Sequence, residues 1–159
     1  MKFIRPQLPR KEGQPFIFRI AMQEKAALLA VLKLYPLLDA GYHKLSRTAK
    51  TTGKTEQEWL EEAMVQQRLD HKKKLGQLFR DSRRFFKAGK HDFLFTLTGE
   101  QIEWMLRVLN EIRVGSWVRL GRPEMEEARS FSLTSEQARF LATMEVSGYF
   151  QAALLEAFS

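Results

Sequence analysis

The sequence predicts a mainly α, single-domain bundle of four or five helices, with two or three short strands that precede helices and can pair as a small sheet. Three observations carry this. A chain of 159 residues is long enough to bury one substantial core. Apolar residues recur at helical spacing in several windows, most cleanly at Ile102, Met105, Leu106, Leu109 and Ile112. Short runs of aromatic and aliphatic residues, 16–20 and 93–97, stand directly before such windows.

Residues 1–14, with Pro6, Pro9 and Gly13, read as a flexible N-terminal tail, and 15–159 as the helical domain. Phe16, Ile17, Phe18 and Ile20 predict the first strand. A helix over 23–35 follows, with Leu28, Leu29, Val31, Leu32 and Leu34 on a broad apolar face, and Pro36 disturbs or ends it. Residues 42–54 are polar and basic and read as a loop. A long helix starts near Thr55, which has capping-box spacing to Glu58. Its beginning is acidic (Glu56, Glu58, Glu61, Glu62), matching the positive end of the helix dipole, and its later part is basic. Leu60, Met64, His71, Leu75, Leu78 and Phe79 keep one side mostly apolar, and Gly76 is where it could kink or break.

The stretch 92–121 is the centre of the chain. Thr98 and Gln101 form a second capping-box pattern, and Gly121 and Pro123 end the helix. At about 100° per residue, Ile102, Met105, Leu106, Leu109, Ile112 and Leu120 share one arc. Arg113 falls inside that arc, Arg119 between Val108 and Ile112, and Asn110 on its border. A buried arginine requires a carboxylate or carbonyls, so this trio is expected to be architectural or to clamp an anion. Trp104 and Trp117 are candidate aromatic anchors, in the core or against a partner. Residues 122–133 form an acidic connector, and the last helix runs over 135–158. The segments FTLTGEQ at 95–101 and FSLTSEQ at 131–137 match at five of seven positions, which reused capping signals or a duplication would explain.

Several function classes find no support. Without cysteine there is no disulfide framework, thiolate metal site or cysteine nucleophile, as suits a reducing cytoplasm. No segment is apolar enough for a signal peptide or a membrane span, so a cytoplasmic protein without membrane association is expected. His43, His71 and His91 have no ligand at metal spacing, and His71 on an apolar helix side predicts a hydrogen-bonded core or boundary histidine. There is no GxSxG, P-loop or GxGxxG pattern. No cofactor, metal or catalytic residue is therefore assigned, and an enzyme is not the expected reading.

Charge is more informative. The net charge of +7 resides entirely in residues 41–91, which hold 13 Lys and Arg against 6 Asp and Glu, while the remainder holds 13 of each. The candidate binding surface is the basic run 68–90: Arg68, Lys72, Lys73, Arg80, Arg83, Arg84 and Lys87. It suits an acidic protein or a nucleic acid.

The run Trp104-x-Leu106-x-x-Leu109-Asn110-x-Ile112-Arg113, followed by Arg119-Leu120-Gly121, resembles a bacterial family of unknown function, best represented in actinobacteria and often encoded beside the adaptor of the Clp protease. The resemblance implies a small helical protein linked to regulated proteolysis and brings no catalytic residues. It singles out Asn110, Arg113 and Arg119, which the helical arc also marks.

The expected function is a non-enzymatic interaction or regulatory protein of the bacterial cytoplasm, with a protein partner and with homodimerisation compatible with its apolar helices. The alternative is nucleic-acid binding through helix 68–90. A third reading is an anion or ligand binder, or an enzyme, using Arg113 and Arg119.

Overall fold

The computed structural model describes residues 1–6, 11–38, 54–80, 84–122 and 132–159. Its strands are β1 (Lys2–Ile4), β2 (Phe16–Ala21), β3 (Phe86–Lys87) and β4 (Asp92–Leu97). Its helices among the described residues are α1 (Met22–Leu32), α2 (Lys54–Arg80), α3 (Gly99–Arg119) and α4 (Ser135–Leu155), and a 3-10 turn follows at Glu156–Phe158. The mainly α class with a small sheet is as predicted.

Alternation explains the sheet. Phe16, Phe18 and Ile20 of β2 are buried while Ile17 and Arg19 face outward, and β4 buries Phe95 and Leu97. The two strands pair antiparallel with Phe18 opposite Phe95, and those rings stack with centroids 5.4 Å apart. Full burial of each such side chain stabilises the fold by about 1.5–3 kcal/mol. The four strands run in the order β1-β2-β4-β3, with the two predicted strands at the centre.

The edge strands depart from expectation. Lys2–Ile4 pair with Ile17–Arg19 rather than hanging as a loose tail, because Phe3 packs on the rings of Phe16 and Phe18. Ser132, Leu133 and Thr134 form no strand before α4, so the likeness of FSLTSEQ to FTLTGEQ extends to the cap but not to the sheet. The caps themselves are near copies. Thr98 Oγ1 accepts from Gln101 N at 3.2 Å and Gln101 Oε1 accepts from Thr98 N at 3.0 Å, and Thr134 and Gln137 repeat both distances. The first residues of α1 lack such a side chain, and Glu24 instead accepts from Ala21 N at 2.9 Å. The side chain of Thr55, the third expected cap, lies outside the described residues. α2 continues through Gly76 without a break.

α3 is the central helix of the core. Its buried residues are Ile102, Trp104, Met105, Val108, Leu109, Ile112, Gly115 and Ser116. This face is centred about 60° from the arc drawn through the aliphatic residues. Small residues explain the rotation, because they bury where a neighbouring segment comes close. A Cβ placed on Gly115 would stand 3.1 Å from Leu37 Cβ, so the segment after α1 reaches α3 there. The rotation draws Trp104 and Val108 inward and turns Asn110 and Arg113 outward. Gly121, with φ of 88°, ends α3 as expected.

Candidate interaction site

α2 presents two faces of different character. Its inner face buries Arg68, His71, Leu75 and Leu78, spaced three, four and three residues apart. Arg68 therefore belongs to the interior, not to the predicted basic surface, and is only 6% exposed. Its Nε donates to Glu111 Oε2 at 3.1 Å, and its Nη1 is buried with no hydrogen-bond partner among the described residues. The requirement for a carboxylate beside an interior arginine is met here, at an arginine other than those first marked on α3.

A polar chain extends from this pair. Tyr35 Oη donates to Glu111 Oε1 at 3.5 Å and lies 3.3 Å from His71 Nδ1. The carboxylate only accepts and a hydroxyl has a single proton, so His71 Nδ1 must donate to the tyrosine oxygen. We assign His71 as the Nδ1–H tautomer on this ground. Burial holds the His71 pKa below its usual value, and burial with the Glu111 carboxylate raises that of Tyr35. The imidazole is also stacked over Trp104, with 6.5 Å between centroids. His71 is thus the hydrogen-bonded core histidine that its position predicted, and Trp104 is a core residue.

The second face of α2 borders an open groove of about 710 Å³ against α1. Leu29, Leu32 and Tyr35 form one wall, and Leu69, Leu75 and Phe79 the other. Lys33, Lys72, Lys73 and Arg80 also line it, and all four are solvent-exposed. The combination is an apolar floor with a cationic rim. Gly76 opens the α2 wall further, since a Cβ there would meet nothing within 4 Å.

The remaining basic residues go elsewhere. Arg84 Nη1 donates to the Thr96 carbonyl at 3.0 Å, against the sheet. Lys87 lies exposed on the edge strand β3, and Arg83 is outside the described residues. Among the described residues the predicted run 68–90 is thus divided among an interior position, the groove and a sheet edge, and does not make one continuous stripe.

The α3 residues also separate. Asn110, Arg113 and Arg119 are all exposed, contrary to their expected burial. Arg113 and Arg119 point about 120° apart around the helix, so they do not converge on one anion. The Arg113 guanidinium lies over α4, where a Cβ on Gly148 would stand 3.7 Å from Nε. Arg119 follows the apolar spacing but sits in the last turn, beyond the packed part of α3. Trp117, 37% exposed, lies on the outer side of that end.

A further residue was not marked by sequence reading. Trp59 is 65% exposed on the acidic first half of α2, with Leu60, Val65 and Leu69 also exposed. The available signal is the lone tryptophan among glutamates at the start of a helix whose apolar side continues past the core. Among the described residues, no group of His, Cys, Asp and Glu is placed to hold a metal ion, and no helix is long and apolar enough to cross a membrane. No protein-family model, curated protein or solved structure matches the chain.

Proposed function

We propose that this is a non-enzymatic interaction protein of the cytoplasm, whose α1–α2 groove receives an acidic, apolar helical segment of a protein partner. The observation that carries this is the pairing of an apolar floor with four exposed cations on one groove. Leucine, tyrosine and phenylalanine supply burial, and the cations supply steering and register toward carboxylates. A role in recruiting or sequestering the partner fits such a groove. The dispersal of the other described basic residues weighs against nucleic acid, which a contiguous track of cations would serve better.

The test uses a labelled helical peptide of leucine and glutamate and a scrambled control, titrated at low and high salt. The wild type should bind the helical peptide, more weakly as salt rises. A Lys72→Glu, Lys73→Glu, Arg80→Glu variant with an unchanged circular dichroism spectrum should not. Equal binding by that variant, or no binding at low salt, would overturn the reading. Preferential binding of duplex DNA in a parallel titration would favour the nucleic-acid alternative instead.

A further inference from the structure

We infer that the acidic helix received by the groove is α2 of a second copy of this chain, so that two copies pair antiparallel along α2. The inference rests on the groove reading above and names its occupant.

One face of α2 carries the pairing. Trp59, Glu62, Gln66, Leu69, Lys73, Gly76 and Arg80 follow one another at alternating intervals of three and four, so they share one face of α2, with Trp59 and Leu69 as its large apolar members. This face lies on the far side of α2 from the buried His71 and Leu75. Trp59, Glu62, Gln66, Leu69 and Lys73 are all exposed. The face also merges with the groove, because Leu69, Lys73, Gly76 and Arg80 belong to the groove wall.

This face is also self-complementary. A two-fold axis between residues 67 and 68 sets Trp59 opposite Gly76, Glu62 opposite Lys73 and Gln66 opposite Leu69. The face therefore maps onto itself. The large exposed ring meets the position where an added Cβ touches nothing, and a carboxylate meets an ammonium. The charge layout selects the direction. Antiparallel pairing lays Glu56, Glu58, Glu61 and Glu62 of one copy along Lys72, Lys73, Lys74 and Arg80 of the other, whereas parallel pairing sets like on like.

Sedimentation equilibrium on the full chain tests this. The wild type should form a dimer. Glu62→Lys and Lys73→Glu should each weaken it on the order of tenfold to hundredfold, since two pairs per dimer change from attraction to repulsion. Mixing these two variants should restore dimers, because each repulsion is then reversed. Filling the open position with Gly76→Leu should also weaken the dimer while the fold is kept. A wild type that stays monomeric up to its solubility limit would overturn the inference, and the groove reading would stand if the leucine–glutamate peptide still bound. A dimer indifferent to both charge reversals would equally overturn it, by placing the interface elsewhere. Failure of the mixture to dimerise, with both variants folded, would refute the proposed register.

Discussion

Replacing Glu111 with alanine strands a positive charge inside the protein. The Arg68 side chain is 7% exposed, whereas that of Glu111 is 31% exposed. Removing one partner of a fully buried pair costs about 3–5 kcal/mol, because the other charge stays behind unpaired. Partial exposure of the carboxylate lets water take its place in part, so we expect about 2–3 kcal/mol for Glu111→Ala. For a chain of this size that corresponds to roughly 5–10 °C in Tm. Arg68→Met behaves differently. It removes the charge and the unpartnered Nη1 together and leaves an apolar chain of similar length, so it should lie within about 1 kcal/mol of wild type. The double variant should then be more stable than Glu111→Ala alone, with a coupling of about 1–2 kcal/mol. Urea unfolding of all four proteins at neutral pH measures the cycle. A Glu111→Ala cost below about 0.5 kcal/mol, or purely additive effects, would refute the interior ion pair as a stability element.

Other outcomes follow from single observations. Gly76→Ala should stabilise the protein by about 0.5–1 kcal/mol, since a half-buried helix glycine is replaced where the added Cβ meets nothing else in the chain, while Gly115→Ala should destabilise it by about 1–3 kcal/mol through the close approach to Leu37; thermal unfolding separates the two. Thr98→Ala and Thr134→Ala should each cost about 1 kcal/mol, and because their caps have matching distances the two losses should be alike in urea titrations. Burial depresses the His71 pKa, so the unfolded chain binds the proton more readily. The contribution of His71 is thus fully present above its unfolded value near 6.5 and declines as pH falls from there toward the folded value. Stability measured from pH 7.5 to 5 should show that decline, and His71→Gln should flatten it in this window. Nitrogen-15 spectra of His71 at pH 7.5 should report the Nδ1–H tautomer, and an Nε2–H signature would refute the Tyr35–Glu111 chain.

The parts of the fold that are legible in the sequence are those set by local chemistry. Alternation in β2 and the threonine–glutamine caps of α3 and α4 are visible without any tertiary information. Which arginine is interior was not. A wheel drawn through the aliphatic residues of α3 overlooks the buried Gly115 and Ser116, the first of them approached by Leu37 and Leu38, so it marks Arg113 instead of Trp104. On α2 the clue was present: Arg68 lies between Met64 and His71 on the apolar side, yet its place in a basic run suggested solvent. β1 has three residues, too few to show an alternation of their own, and its pairing depends on Phe3 meeting the rings of Phe16 and Phe18. The groove depends on α1 and α2 lying side by side, which no spacing within either helix reveals.

The sheet also has a consequence for how the chain reaches its native state. β1 with β2 and β3 with β4 are two local pairings, each closed within a short stretch of chain. The central seam joins residues 71 to 81 positions apart, from Ala21 with Asp92 to Phe16 with Leu97. Two small ribbons can thus form early and independently, while the seam between them awaits closure of a loop containing α1 and α2. Burial of Phe18 against Phe95 belongs to that later step, so folding speed should be governed by the long-range encounter of the ribbons rather than by helix formation.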